Sequence, residues 1–165
     1  MKTELFWIEG PWPGRLAISA RPRGGDWLEA EICGWRSAGI AMVGSLLEPH
    51  EAADLELEHE REICESNGVK FVSLPIVDRG VPASDAEAAQ FIDLVDLELR
   101  LGRSVNVHCR QGVGRSGLIA AGLLIGNGVS PEEAIRRVSA GRGMAIPETA
   151  GQREWIDHFA AALRR

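Results

Sequence analysis

The segment RSVNVHCRQGVGRSGLIAAGLLIGNG, Arg103 to Gly128, changes character twice within a few turns of chain. Its first part, RSVNVHC, has the alternating β-branched residues of a strand. Gly112, Gly114 and Gly117 then punctuate a loop, and SGLIAAGLLIGNG continues apolar on nearly every side, which predicts a helix buried in the centre of the fold. A strand that hands a cysteine to a glycine loop opening a helix is one unit of an α/β sheet, and ligands of such sheets sit beyond the carboxyl ends of the strands. Cys109 is therefore placed at a binding edge.

The flanking sequence supplies the rest of the sheet. LFWIEG and RLAIS, separated by PWPG, read as two short strands of a hairpin. GDWLEAEICGWRSAG follows as a helix with Asp26 as N-cap, Leu28, Ile32 and Trp35 on one face and Gly39 at its end; IAMVGSLL is a buried strand. The acidic stretch from Pro49 to Asn67 predicts one exposed helix closed by Gly68, and VKFVSLPIV returns as a strand. Ser84 and Glu87 form a capping-box pattern opening DAEAAQFIDLVDLELRLG, whose Phe91, Ile92, Val95 and Leu99 share the face that packs on the sheet. Ser130, Pro131 and Glu133 start a further helix, and a last one runs from about Thr149 to the C-terminus. The alternation predicts an α/β fold: a central, mostly parallel twisted sheet of about five strands flanked by helices, with helices gathered at the C-terminal end, in a single domain over residues 1–165. Trp7, Trp12, Trp27, Trp35 and Trp155 are read as core or rim packing.

A chain of 165 residues can bury one core without disulfides or a metal. It is 45% hydrophobic and 25% charged with a net charge of −6, which argues against a general nucleic-acid binder, whose affinity rests on a basic surface. Any anion it binds must be met by local cations. Three widely spaced cysteines, Cys33, Cys64 and Cys109, fit neither a disulfide framework nor a zinc knuckle and imply a reducing compartment. Glu4 and Glu9 interrupt the N-terminus where a signal peptide needs an apolar stretch, and no apolar run reaches the ~18 residues of a membrane span. The expected setting is a monomer in the cytoplasm with no membrane attachment, no cofactor and no metal. His50 and His59, set among acidic residues without a third ligand, are given no role.

The loop defines the chemistry. Arg110, Gln111, Gly112, Val113, Gly114 and Arg115 can turn successive backbone N–H groups inward, forming a nest for a phosphate-sized oxyanion ahead of a helix N-terminus. The same field favours thiolate over thiol at Cys109. Arg115, six positions on, wraps round to place its planar fork on two phosphate oxygens, a fit that lysine cannot reproduce. Ser116 is placed to donate a hydrogen bond to the sulfur as a phosphocysteine breaks down, and His108 to orient the loop backbone. Cleavage of a phosphate ester also needs an acid for the leaving oxygen. Asp78 in LPIVDRGVP follows a strand, lies between turn residues, and serves as acid and then as base toward water; Asp85 is the weaker candidate. Arg79, Arg110, Arg115 and Arg142 are expected to form a basic collar. Cys64 is read as a core residue, with a protective disulfide to oxidised Cys109 as the alternative.

HCRQGVGRS resembles the Cys-x5-Arg-Ser/Thr signature of the protein tyrosine phosphatase superfamily. PIVDRGVP is similar to its general-acid loop and IPETAGQ to its Gln-bearing loop, while FWIEGPWPGRLAIS resembles the opening of small atypical dual-specificity phosphatases. The resemblance implies metal-free hydrolysis of phosphomonoesters in two steps through phosphocysteine, on phosphotyrosine with phosphoserine or phosphothreonine as further substrates. It also implies that Gln152 positions the hydrolytic water and that Glu148 and Thr149 start its loop. No counterpart of the aromatic-walled recognition loop of large tyrosine-specific members is evident, and the chain has no Tyr. The partner expected is a phosphorylated protein or peptide, with a phosphoinositide or an RNA end left open. Two other readings compete: a rhodanese-like sulfurtransferase, which has no need of Asp78, and a non-catalytic phosphoprotein-binding module, which has no need of Cys109.

Overall fold

The computed structural model describes residues 3–164. Five strands, β1 (Phe6–Ile8), β2 (Leu16–Ser19), β3 (Ile40–Ser45), β4 (Lys70–Ser73) and β5 (Ser104–His108), form one sheet in the order β1-β2-β5-β3-β4. β1 runs antiparallel to β2, as the expected hairpin requires, and the other pairs are parallel. The helices are α1 (Leu28–Ser37), α2 (Pro49–Asp54), α3 (Glu60–Ser66), α4 (Asp85–Arg100), α5 (Gly114–Gly126), α6 (Pro131–Arg142) and α7 (Ala150–Leu163).

Two apolar clusters cover the two faces of the sheet. Val105 and Val107 of β5 point into the first, where they meet Phe91, Ile92, Val95 and Leu99, the predicted face of α4, together with the buried helix α5. Leu28, Ile32 and Trp35 of α1 pack in the second with Val43, Leu57 and Cys64. β5 is thus buried on both faces, as a central parallel strand must be. The register aligns Ser19, His108, Ser45 and Ser73 in a row along the carboxyl edge, where Cys109 follows directly. Beyond β4 the chain stays tied to β3 and its extension through Leu74 N–H to Ser45 O and Ile76 N–H to Leu46 O, and these bonds carry Asp78 to the same edge.

Two expectations are corrected. Asp26 does not cap α1: Gly25–Trp27 forms a 3-10 turn, and no side chain bonds the start of either element. The left-handed Gly25 (φ 59°) lets its N–H reach the Glu56 carbonyl instead. The stretch from Pro49 to Asn67 is two short helices, not one exposed helix. α2 stops at Asp54 because Leu57 turns into the second cluster, with Glu56 left-handed at φ 57° and Leu57 N–H bonded to Ala52 O at 2.7 Å. Gly24 packs on this break, where a Cβ would lie 2.0 Å from the Leu55 carbonyl oxygen. Burial of one leucine outweighs the helical propensity of its acidic neighbours. Ser84 and Ser130 do cap α4 and α6, accepting from Glu87 N–H and Glu133 N–H.

Candidate active site

Cys109 leaves β5 into a loop whose curvature rests on Gly112. Gly112 is left-handed (φ 73°), its N–H donates to Cys109 Sγ at 3.3 Å, and a Cβ there would lie 2.3 Å from the Ser19 carbonyl carbon. That Ser19 backbone is itself fixed. Asn106 Nδ2 donates to Ser19 Oγ at 3.0 Å, and Ser19 Oγ donates to Ala20 O at 2.8 Å. Gly112→Ala is accordingly expected to hold the loop open and lower kcat/KM by about 10²-fold, since misplacement of reacting groups by about 1 Å has that scale. Steady-state rates on an aryl phosphate check this, with circular dichroism to verify the fold.

A cavity of about 210 Å³ opens over the sulfur. The loop lines it with Cys109, Arg110, Gln111, Gly114 and Arg115; Asp78 and Arg79 come from the segment after β4, and Glu148 from the α6–α7 connection. α5 begins at Gly114, so its N-terminal dipole also favours an anion there. Gly112 and Val113 lie outside the lining; Val113 precedes α5 and packs against the first cluster. Arg142 is not part of a collar. Its Nε and Nη2 donate to Gly112 O and Gln111 O, and its guanidinium lies 3.9 Å over the Phe6 ring, so it straps the outside of the loop.

Arg115 is buried to 1% exposure and held by Glu51, a residue of the acidic run that no local pattern singles out. Its Nη1 and Nη2 donate to Glu51 Oε1 (2.7 Å) and Oε2 (3.1 Å), and Nη1 also donates to Ile76 O at 2.9 Å. Nε makes no hydrogen bond among the described residues, and Nη2 faces Asp78 Oδ1 at 3.2 Å. Burial opposes the guanidinium charge, but the Glu51 bond and the neighbouring Cys109, Glu51 and Asp78 raise its pKa above the usual arginine value. Burial likewise pushes the Glu51 carboxyl up, yet the bonds from Arg115 and the Glu48 N–H, with the charges of Arg115 and Arg110, hold it below the usual range. The pair is a fixed, charged floor for the cavity.

Asp78 is 58% exposed at its side chain, on a turn closed by Gly80 N–H to Val77 O (2.7 Å) with Arg79 left-handed. Arg79 pairs with Glu148 at 3.0 Å across the cavity mouth. Gln152 is fully buried and does not line the cavity. Its Oε1 accepts from Glu148 N–H and Thr149 N–H, the latter completing a capping box, and its Nε2 donates to Gly80 O at 3.2 Å. Gln152 therefore ties the Asp78 turn to the start of α7. Ser116 Oγ is buried without a hydrogen-bond partner among the described residues, the sulfur included. His108 is fully buried, with Nδ1 3.3 Å from Cys109 O, the backbone contact its expected role requires, and Nε2 2.7 Å from Glu60 Oε2.

The remaining candidates fall elsewhere. Asp85 stands exposed at the start of α4, 3.6 Å from His158 and outside the cavity. Cys64 lies in the second cluster, across the sheet from Cys109, which excludes a disulfide between them in this fold. Glu51 and Glu60 went unnoticed because they sit in an acidic run in which every carboxylate looks alike; only burial at 3% each distinguishes them. The one usable signal was the buried arginine itself, which demands a carboxylate.

Residues 26–129 match the family model described as "Polymorphic toxin system, DSP-PTPase phosphatase". The chain is 34% identical over 113 residues to "Putative tyrosine phosphatase 197R" of Invertebrate iridescent virus 6, covering 64% of this chain and 41% of that protein. It is 28% identical over 130 residues to cyclin-dependent kinase inhibitor 3 of Sus scrofa, covering 78% and 61%. It thus spans about two fifths to three fifths of the length of these curated relatives. Among solved structures, kinase associated phosphatase with its catalytic cysteine replaced by serine superposes with a TM-score of 0.89 at 22% identity, covering 99% and 97% of the two chains. PTPMT1 in complex with PI(5)P superposes at 0.76 and 22% identity, covering 96% and 97%. The chain belongs to the DSP-PTPase phosphatase family, and its fold is that of the cysteine-dependent phosphatases.

Proposed function

We propose that this protein hydrolyses phosphomonoesters through a phosphocysteine on Cys109. The observation that carries the reading is that one cavity joins the sulfur, the buried Arg115 and the Asp78 carboxyl. The loop amides and the uncommitted Nε edge of Arg115 take the phosphoryl oxygens. A bound phosphoryl group displaces Asp78 from Nη2 and leaves its carboxyl beside the leaving oxygen, which it protonates as Cys109 attacks in line. The same carboxylate then draws a proton from the water that splits the sulfur–phosphorus bond. For that water, Glu148 is the lining residue and Gln152 holds its backbone in place. A sulfurtransferase has no use for Asp78 at this position.

The family supports a phosphorylated substrate, which we read as phosphotyrosine peptides, with phosphoserine or phosphothreonine peptides as further substrates and phosphoinositides as the competing class. A complete site within one chain supports a monomer, and three unpaired cysteines support the cytoplasm. Among the described residues no helix is long and apolar enough to cross a membrane, and no group of His, Cys, Asp or Glu could hold a metal. Initial rates on the two peptide classes and on phosphoinositide vesicles test the assignment; no turnover of any of them above a Cys109→Ser control overturns it. Asp78→Asn is expected to lower kcat by about 10²-fold or more on a poor leaving group such as an alkyl phosphate, and much less on an activated aryl phosphate. Equal losses on both would assign the proton to another group.

A further inference from the structure

Each nitrogen of the enclosed His108 ring faces an oxygen. Nδ1 lies 3.3 Å from the Cys109 carbonyl and Nε2 2.7 Å from Glu60 Oε2. A carbonyl oxygen only accepts, so Nδ1 carries a hydrogen. A bare Nε2 lone pair pointing at an ionised carboxylate would then be repulsive at that distance, so a second proton lies between ring and carboxyl. Net charge leads to the same result. His108 is fully buried and Glu60 is 3% exposed, and without the second proton the pair would bury an uncompensated negative charge.

We infer that Glu60 and His108 form a proton-holding imidazolium–carboxylate pair behind the nucleophile, and that Glu60 is a positioning residue acting through His108 on the Cys109 loop. The ring stands between the carboxylate and the loop backbone, bonding the first through Nε2 and the second through Nδ1. Its Nδ1–H fixes the Cys109 carbonyl, hence the peptide plane from which the amide nest springs. The inference rests on the reading of Cys109 as nucleophile.

Several charged groups surround the pair: Arg61, next to Glu60 on α3, lines one surface groove with it together with Glu58 and Glu62, but its half-exposed guanidinium lies over the Phe71 ring and pairs with Glu65. Cys109 itself follows β5, and Cys64 lies one turn along α3, where burial, with the charges of Glu60 and Glu65 added, pushes its thiol up. The Glu51–Arg115 pair lies beyond the loop. From α1 comes the uncharged Trp35 ring at 6.1 Å, and from β3 the Ser45 that pairs with His108.

Glu60→Gln tests this, because the amide can still serve Nε2 as donor or acceptor but cannot hold the proton. Nitrogen NMR of the unmodified protein is expected to find both His108 ring nitrogens protonated near neutral pH, and only one in Glu60→Gln. Release of the Cys109 carbonyl loosens the loop that aims the Gly112 N–H at the sulfur, so alkylation of Cys109 by iodoacetamide at about pH 6 is expected to slow about tenfold in the variant. A singly protonated ring in the unmodified protein overturns the inference, as does unchanged alkylation in a folded variant. NMR and alkylation do not depend on turnover, so a chain that hydrolysed no phosphoester would fail the functional reading while leaving these two readouts able to decide the proton pair.

Discussion

Cys109→Ser is expected to reduce turnover of a small aryl phosphate by at least about 10⁴-fold, the scale on which loss of a nucleophile is felt. Serine has nearly the same shape but keeps its proton in a site whose amides and helix terminus favour an anion over a hydroxyl. The rest of the cavity is untouched. Arg115 remains clamped by Glu51, and the Gly112 amide still points inward, so inorganic phosphate should bind the variant about as well as the unmodified protein. Calorimetry with inorganic phosphate and initial rates separate the two effects. Loss of both binding and turnover would mean that the sulfur holds the loop together rather than reacting.

Arg115→Lys is expected to lower kcat/KM by about 10²- to 10³-fold, or about 3–4 kcal/mol of transition-state stabilisation. The guanidinium serves both Glu51 oxygens and Ile76 O with one edge while leaving Nε and part of Nη2 for the substrate. An ammonium group has three hydrogens from one point and cannot satisfy that set and a phosphoryl group together. Because the charge is kept, Glu51 is not stranded, and the fold should survive; complete loss of a buried partner would cost about 3–5 kcal/mol. A loss of less than tenfold, with thermal unfolding unchanged, would reduce Arg115 to a strut for Glu51.

What the sequence revealed and what it hid divide along one physical line. The strand-to-helix passage around Cys109, the apolar face of α4 and the serine caps were legible because each is a local pattern, set by periodicity or by one side chain bonding its own helix start. Gly112 was legible as a loop glycine, though not the Ser19 backbone that leaves it no room for a Cβ. Glu51, Glu60 and the strapping role of Arg142 were not legible, since each depends on which of several similar charges tertiary packing selects. Leu57 decided the matter for the acidic run by breaking it and turning Glu51 and Glu60 inward on either side. Asp26 failed as a cap for a related reason: the chain there answers to Glu56, thirty residues away.

The central claim is that the Cys109 sulfur takes the phosphoryl group. Rapid acid quenching of a turnover mixture, followed by mass spectrometry of the peptide containing Cys109, tests it most directly. The account predicts one added phosphoryl group on that peptide during the pre-steady-state burst, lost when the substrate runs out. A phosphoryl group on any other residue, or active turnover in which no phosphoryl peptide forms, would contradict it.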